Sequence, residues 1–223
     1  MAEHLPLRIE WKLATPWCPP ARGLHLDGLI AWALLQSFER EGCTPENFDE
    51  VLHDLPFAKC ETGAGWVWKA SFVTAEGLHG SERRYITAKT AVLEFAERMH
   101  DGRIEGKPLK DIDTMRGPYK NDSFWYTIEH ADRCVAYCVG DPERITPLLD
   151  EVTHLGKRGR LDHGRIDPQQ GMQARIEEDP MALEHWRRRH LPEPLPGYVP
   201  VVGRLHPPYW RGEGETAVWR PAG

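Results

Sequence analysis

Long hydrophobic runs are missing from this sequence. No stretch of about 18 consecutive apolar residues occurs, so the sequence predicts no transmembrane helix. Residues 1–10 also lack the basic segment followed by an apolar one that marks a secretory signal peptide. We therefore expect a protein of the cytoplasm.

Cysteine is sparse and has no metal-ligand spacing. The five cysteines form no C-x-x-C pair and have no histidines at ligand spacing beside them; they are Cys18, Cys43, Cys60, Cys134 and Cys138. Their odd number and scatter predict reduced, mostly buried thiols and no zinc or other metal site. Motifs for nucleotide hydrolysis, for a paired-carboxylate metal site and for a nucleophile elbow are also missing, so we expect no cofactor.

An excess of positive charge is missing too. The chain has 28 lysine and arginine residues against 34 aspartate and glutamate residues, a net charge of −6. This balance argues against a protein that coats nucleic acid indiscriminately, so any anion site must be local. With 223 residues, of which 40% are hydrophobic, the chain can form one large domain or two small ones.

One short segment, residues 156–166, concentrates positive charge beside glycine. It carries three glycines and four cationic side chains, Lys157, Arg158, Arg160 and Arg165, with Asp162 as its one carboxylate. Glycine permits a backbone with positive φ that approaches a ligand closely, and the lysine and arginines supply charge for phosphate. The segment is either a phosphate-binding loop or a solvated basic turn.

The rest of the chain alternates between strand and helix patterns. Period-two alternation predicts strands at 5–14 and 66–74, and three- and four-residue spacing predicts a helix at 24–38 that Asp27 caps. Residues 79–122 form a long insertion with a helix at 89–99. The remaining predicted elements are a hairpin of 124–130 and 133–139 around Ala131 and Asp132, a capped helix at 141–153 and a strand at 165–175.

This order predicts an α+β chain with a ferredoxin-like (RRM-like) sheet in residues 1–178, elaborated by the insertion and by the glycine-rich loop before the last strand. Residues 179–223 are expected to add a short helix at 181–190 and an extended arm, because a tract rich in proline and glycine cannot build a core alone. Arg187, Arg188 and Arg189 are interpreted as a solvated helix end, with contact to DNA or RNA as the alternative.

Several segments, in this order and spacing, resemble one family of proteins. They are residues 24–33, 117–120 (Gly-Pro-Tyr-Lys), 140–149, 155–158 (Leu-Gly-Lys-Arg) and 163–166 (His-Gly-Arg-Ile). Together they resemble the RAMP subunits of CRISPR effector complexes, and above all the subunit that caps the 5′ handle of the guide RNA in type IV systems. The resemblance covers residues 5–210 and rests on order and spacing rather than on any single motif.

The resemblance implies a RAMP domain and a non-catalytic function in defence against viruses and plasmids. The protein would bind guide RNA (crRNA), cap its 5′ handle and contact the backbone and large subunits of a type IV ribonucleoprotein complex. Positioning of target DNA at its recognition motif is a further implied role.

The resemblance also carries RNA contacts over to particular residues. In the glycine-rich loop, Lys157, Arg158, Arg160 and Arg165 would hold phosphates, and His163 would donate to a base or a phosphate. In the insertion, the implied contacts to RNA or to the neighbouring backbone subunit are Arg116, Tyr119 and Lys120. Arg83 and Arg84 would either join these contacts or form a solvated face.

Asp162 departs from the family pattern, because the family's loop usually has the first glycine of a Gly-x-Gly sequence at this position and only Gly164 is kept here. A carboxylate repels phosphate, so we expect the early part of the loop to hold the RNA.

Two other functions are compatible with the sequence. The first is a metal-independent endonuclease that processes crRNA, since some RAMP relatives cleave the repeat RNA themselves. Such cleavage needs a base for the 2′-hydroxyl and a proton donor for the leaving oxygen, and His25, His154 and His163 are the histidines to consider. The second is a stand-alone RNA-binding domain with no CRISPR role.

Overall fold

A computed structural model describes residues 3–43, 52–89, 91–102, 114–115, 121–209 and 214–222. The described chain is mixed α/β. Its strands are β1 (Leu5–Lys12), β2 (Leu24–His25), β3 (Lys59–Thr62), β4 (Gly65–Trp68), β5 (Phe72–Ala88), β6 (Asp122–Gly140), β7 (Arg175–Glu178), β8 (Tyr198–Gly203) and β9 (Thr216–Pro221). Its helices are α1 (Leu26–Arg40), α2 (Val92–His100), α3 (Pro142–Leu149) and α4 (Ala182–His185). None of these helices is both long enough and apolar enough to cross a bilayer.

The main sheet has the strand order β2-β5-β6-β1-β7. Strand β1 lies between β6 and β7 and pairs antiparallel with both, with Ile9 opposite Ala136 on one side and Ile176 on the other. Helix α1 comes between β1 and β5, helix α3 comes between β6 and β7, and the two helices contact each other. The α+β prediction is therefore confirmed at the level of an antiparallel sheet combined with a few helices.

Alternation along β1 directs every second side chain into the core. Leu7, Ile9 and Trp11 are at most 1% exposed. They belong to one hydrophobic cluster with Ile30 of α1 and Ile145 of α3. Because successive strand residues point to opposite faces, these three side chains lie on the same face of the sheet. The main core thus lies between that face and the two helices.

The chain divides into two compact units, Met1–Gly80 with Glu129–Gly223, and Ser81–Ile128. The second unit contains helix α2 and parts of β5 and β6. Among the described residues of this unit, the large apolar side chains that are exposed are Tyr85, Leu93, Met115, Phe124 and Trp125. This unit therefore exposes several large apolar side chains.

One predicted turn and most of one predicted strand are wrong, whereas the strands predicted at 124–130 and 133–139 both lie within β6. The hairpin around Ala131 and Asp132 does not form, since β6 continues through both residues; the pair lacks the glycine that favours a two-residue hairpin turn. Most of the strand predicted at 165–175 is also missing. Arg165 and Ile166 form only isolated bridges, and the regular strand begins at Arg175. Pro168 lies between them and has no amide hydrogen for a strand ladder.

The cap predicted for the helix at 141–153 is confirmed, although the helix itself ends earlier, at Leu149. Asp141 accepts hydrogen bonds from the amides of Glu143 and Arg144, which have no partner within the helix. Pro142 occupies the first turn, where its missing amide hydrogen costs nothing.

The C-terminal segment does not form the extended arm that its composition predicts. Strands β8 and β9 pair antiparallel, from Tyr198 opposite Pro221 to Gly203 opposite Thr216. Val218 of β9 is fully buried. The helix predicted at 181–190 is limited to Ala182–His185. Pairing satisfies the backbone groups of this tract and lets Val218 be buried.

Candidate functional site

The glycine-rich loop, residues 156–166, is tied to the segment that follows β1. The amide of Lys157 donates to the carbonyl of Cys18 over 2.8 Å, and the amide of Gly164 donates to the carbonyl of Pro16 over 2.9 Å. The amide of Leu155 closes the base of the loop by donating to the carbonyl of Gly164 over 2.8 Å. Both ends of the loop are therefore fixed, and its middle, with a 3-10 turn at Gly159–Leu161, projects from that base.

Two glycines of the loop are required by the protein's own backbone. Gly156 and Gly164 have φ of +80° and +69°. A Cβ on Gly164 would lie 2.0 Å from the carbonyl oxygen of Leu155, and a Cβ on Gly156 would lie 2.5 Å from that of Cys18. Neither position admits a side chain, because the loop packs against other backbone there.

The four loop cations differ in their surroundings. Lys157, Arg158, Arg160 and Arg165 are all exposed. The guanidinium of Arg165 lies 3.0 Å from the carboxylate of Asp162, so the charge of Arg165 is largely compensated. His163 is half-buried at the end of the loop. This arrangement supports the expectation that the early loop offers the most positive surface.

A groove beside the loop, called the Trp32 groove below, has a volume of about 730 Å³. Its walls are residues 20–24, the start of α1, the early glycine-rich loop, and the C-terminal residues Gly203, Arg204 and Tyr209. Three cations line it, Arg22, Lys157 and Arg204, and no carboxylate is among its described lining residues. The lining is therefore positively charged in a chain whose net charge is −6, although Arg22 shares its charge with Glu215, which lies outside the lining.

Trp32 gives this groove an aromatic surface. It projects from α1 and is 41% exposed, although tryptophan is ordinarily well buried. Deeper in the groove, the rings of His25 and Tyr209 stack with centroids 3.8 Å apart and planes 10° apart. An exposed indole beside cations matches what a single-stranded nucleic acid requires, since bases stack on aromatic rings and phosphates pair with cations.

A buried ion pair is hydrogen-bonded to Tyr209 of the groove, and its two members overturn two predictions. Asp27 is not an N-cap; it lies inside the first turn of α1 and is fully buried, with His25 in the cap position. Arg189 is fully buried too, so the interpretation of Arg187, Arg188 and Arg189 as a solvated helix end holds for the first two alone. The Arg189 guanidinium donates to Asp27, to Tyr209 and to the carbonyls of Trp68, Ala70, His190 and Leu205.

His25 and His190 contribute little of the groove's charge. His25 Nε2 lies 3.2 Å from His190 Nδ1. Burial, followed by the charge of Arg189, lowers the pKa of His25 well below its usual value. Burial also lowers the pKa of His190, and the nearby arginines lower it further. Both rings are therefore neutral near pH 7, and the lysine and arginine side chains of the lining are Arg22, Lys157 and Arg204.

Other predicted site residues lie elsewhere. In the second unit, the guanidinium of Arg83 lies over the ring of Trp125, 4.4 Å from its centroid, and Arg84 pairs with Glu82 at 2.6 Å. Arg116, Tyr119 and Lys120 lie outside the described residues. Of the predicted loop contacts, Lys157 is the one that lines the Trp32 groove.

Buried thiols agree with the sequence prediction. Cys18, Cys134 and Cys138 are buried and free, while Cys60 is half-buried and Cys43 is exposed. Burial raises the pKa of Cys134 to about 12, so this thiol stays protonated. In the described part of the chain, no group of three or more histidine, cysteine, aspartate or glutamate side chains is placed to hold a metal ion.

Sequence reasoning missed Arg22, Trp32, Arg204 and Tyr209 as members of the site. The sequence contains one signal for Trp32. The buried face of α1 does not need an indole at this position. Arg204 and Tyr209 belong to the C-terminal segment, and only the folded chain brings them beside α1.

Comparison with known proteins identifies the family. A search of curated protein sequences finds no significant match to the chain. The family model described as CRISPR type IV associated protein Csf3 matches residues 5–221, nearly the whole chain. The chain therefore belongs to the Csf3 family of CRISPR type IV associated proteins.

Proposed function

We propose that this protein is a non-catalytic subunit of a type IV CRISPR ribonucleoprotein complex that binds guide RNA and caps its 5′ handle. The observation that carries the proposal is the Trp32 groove, which brings together Arg22, Lys157 and Arg204 with no carboxylate among its described lining residues. In a chain of net charge −6, such segregation favours a local polyanion site. Family membership supplies the CRISPR context.

The fold supports a RAMP domain of the ferredoxin-like type. The order β1, α1, β5, β6, α3, β7 is the strand and helix order of that fold. The central position of β1, between β6 and β7, agrees with it as well. In this proposal the glycine-rich loop lies between the second helix of the fold and its last strand.

The chemistry of RNA binding divides between the walls of the groove. Lys157, Arg22 and Arg204 hold phosphates by charge-assisted hydrogen bonds. Trp32 stacks on a base that is splayed out of the single strand. Arg158 and Arg160 extend the positive surface along the loop, whereas the Asp162–Arg165 pair marks the end where RNA contact stops.

Partner subunits are the second part of the proposal. The exposed apolar side chains of the second unit, including Tyr85, Leu93 and Trp125, suit a protein interface better than open solvent. We assign this surface to the backbone and large subunits of the complex, with Arg83 and Arg84 beside it, and the positioning of target DNA to the assembled particle. Such a complex acts in the cytoplasm.

Co-purification tests RNA binding and assembly together. The complex is purified with wild-type protein, with a Lys157→Ala/Arg158→Ala/Arg160→Ala variant, or with Arg175→Ala as a control that removes an exposed cation paired with Glu177. We expect the triple variant to lose guide RNA and the control to retain it. Full retention of guide RNA by the triple variant would contradict the proposal.

A cleavage assay tests the non-catalytic part. Purified protein is incubated with repeat RNA in the presence of a metal chelator, and we expect the RNA to stay intact. Discrete cleavage products that disappear in His163→Ala would instead establish the endonuclease alternative.

A further inference from the structure

A second groove lies on the other side of residues 20–24. It has a volume of about 660 Å³ and is called the Arg188 groove here. Its lining includes Trp17, Phe72, Arg188, Tyr198 and Arg220. Residues 20–24 line both this groove and the Trp32 groove, so the two grooves share that turn as a common wall.

The shared turn is a fixed ridge. The amide of Gly23 donates to the carbonyl of Pro20 over 3.0 Å, which closes the turn. Gly23 has φ of +83°, and a Cβ there would lie 2.5 Å from the ring of Phe72. The turn is therefore packed against β5, and Arg22 is carried on it, 67% exposed at its side chain.

Positive charge exceeds negative charge in the Arg188 groove. Arg22, Arg188 and Arg220 line it, and Glu129 is the one carboxylate among its described lining residues. Glu129 accepts a hydrogen bond from the indole of Trp17 at 3.0 Å, which holds that carboxylate at the wall. Arg22 also pairs with Glu215, and this contact is exposed, so a stronger anion can displace it.

The charges of the two grooves act on the same residue. His190 lines the Trp32 groove, whereas Arg220 lines the Arg188 groove. Burial lowers the pKa of His190, and Arg189, Arg220 and Arg22 each lower it further. Arg22 and Arg220 are thus both close enough to His190 to lower its pKa, so cations of the two grooves lie near one residue.

Apolar surface accompanies these charges. Leu78 lines the Arg188 groove and is 57% exposed. Phe72 and Tyr198 are half-buried in the same walls. Aromatic rings and cations together match a single-stranded nucleic acid better than a duplex, whose bases are stacked within the helix.

We propose that the Arg188 groove binds the continuation of the RNA strand held in the Trp32 groove, so that the strand crosses the ridge at Arg22. This inference rests on the proposed function, since it extends the same RNA site. Arg188 and Arg220 contact phosphates beyond the ridge, Arg22 contacts the phosphate above it, and Tyr198 and Phe72 contact bases.

An RNA length series tests the proposal with the purified full chain. Fluorescence anisotropy measures the Kd of single-stranded RNA oligonucleotides with the 5′-handle sequence, from about four to about ten nucleotides long. We expect wild-type affinity to rise at least tenfold over this range, because the longer strands reach both grooves. An Arg188→Ala/Arg220→Ala variant should lose that gain while its Kd for the shortest RNA stays within about twofold of wild type.

A salt-dependence measurement and additional variants separate lost phosphate contacts from unfolding. For the long RNA, log Kobs decreases with log salt concentration. The magnitude of this slope should be smaller by about 1.4 in the double variant, the value for two lost phosphate contacts on a single strand. Arg188→Gln/Arg220→Gln, which keeps the side-chain stems, replaces the alanine variant if that variant unfolds at a lower denaturant concentration. Arg175→Ala is the control, since Arg175 lines neither groove.

The outcomes separate this inference from the proposed function. Wild-type affinity that does not rise with length, or a double variant that binds long RNA as wild type does, would overturn the second groove alone. If Lys157→Ala/Arg158→Ala/Arg160→Ala binds even the shortest RNA unchanged, the proposed function fails as well. Loss of short-RNA binding in the triple variant and of the length effect in the double variant supports both.

Discussion

Arg189 Nη2 lies 3.1 Å from Asp27 Oδ2, and both side chains are completely buried. The pair connects the first turn of α1 to the C-terminal segment, next to Tyr209 of the Trp32 groove. Tyr209 joins it by donating to Asp27 over 2.9 Å. The floor of the candidate RNA site is therefore held by residues from opposite ends of the chain.

Removal of the buried guanidinium should destabilise the fold strongly. Arg189→Ala leaves the buried Asp27 carboxylate without its countercharge and removes one donor each from the carbonyls of Trp68, Ala70 and Leu205. We expect the free energy of unfolding to fall by about 3–5 kcal/mol, the usual cost of breaking one side of a buried pair. Urea denaturation followed by circular dichroism measures it.

Arg187→Ala is the matched control for this prediction, because Arg187 is exposed in the same arginine run. It should cost less than about 1 kcal/mol. Equal effects of the two substitutions would show that the buried pair does not contribute specially to stability.

Acid should destabilise the protein through its buried histidines. His206 Nε2 lies 2.6 Å from the carbonyl oxygen of Trp66, and burial lowers the pKa of His206 to about 4. An unfolded histidine titrates near 6.5, so below that pH the unfolded state takes up a proton that folded His206 does not. The contribution of neutral His206 to the free energy of unfolding is fully present above about pH 6.5, and it is lost as the pH drops toward about 4.

Urea denaturation of wild-type protein and His206→Gln at several pH values checks this effect. Over that window the slope of unfolding free energy against pH should be smaller in the variant by up to about 1.4 kcal/mol per pH unit. Identical slopes in the two proteins would show that His206 does not contribute to acid destabilisation.

Trp32 should contribute to RNA affinity without contributing much to stability. It is 41% exposed in the groove, so truncation leaves no closed cavity. Trp32→Ala should weaken RNA binding by about 1–3 kcal/mol, the value of one stacked base. Trp32→Phe keeps a ring and should retain part of that affinity; a phenylalanine variant as weak as the alanine variant would argue against stacking.

Gly164→Ala should disrupt the base of the glycine-rich loop. Its Cβ would lie 2.0 Å from the Leu155 carbonyl oxygen. Gly171→Ala is the control, since Gly171 also has a positive φ, +84°, but has no atom within 4 Å of the added Cβ. We expect Gly164→Ala to cost about 2 kcal/mol or more beyond the control in urea denaturation, because both share the backbone strain and only one has the clash. Equal losses of unfolding free energy in the two variants would show that the clash with Leu155 does not contribute to the cost.

Local patterns predicted the elements that local physics determines. The alternation of Leu7, Ile9 and Trp11 identified β1, and Asp141 with Pro142 identified the start of α3, because these signals depend on neighbours in sequence. The charge and glycine of residues 156–166 likewise indicated a loop, and the structure places Lys157 in the Trp32 groove.

Most features that could not be predicted from the sequence depend on contacts between residues that are distant along the chain. Arg189 follows Arg187 and Arg188 directly and has similar sequence neighbours. It alone of the three is buried, because Asp27 and carbonyls that are distant in sequence accept hydrogen bonds from its guanidinium. Composition misjudged the C-terminal tract for a similar reason. β8 and β9 become regular strands by pairing with each other, and Val218 is buried by the rest of the fold.

Ultraviolet cross-linking of the purified complex, with the attached peptides mapped by mass spectrometry, tests the guide-RNA site most directly. Nucleotides of the 5′ handle should cross-link to residues of the Trp32 groove, above all Trp32 and Lys157, and these cross-links should disappear in the Lys157→Ala/Arg158→Ala/Arg160→Ala variant. Handle nucleotides that cross-link only to other subunits, or only to surfaces of this chain outside the groove and its loop, would contradict the assignment.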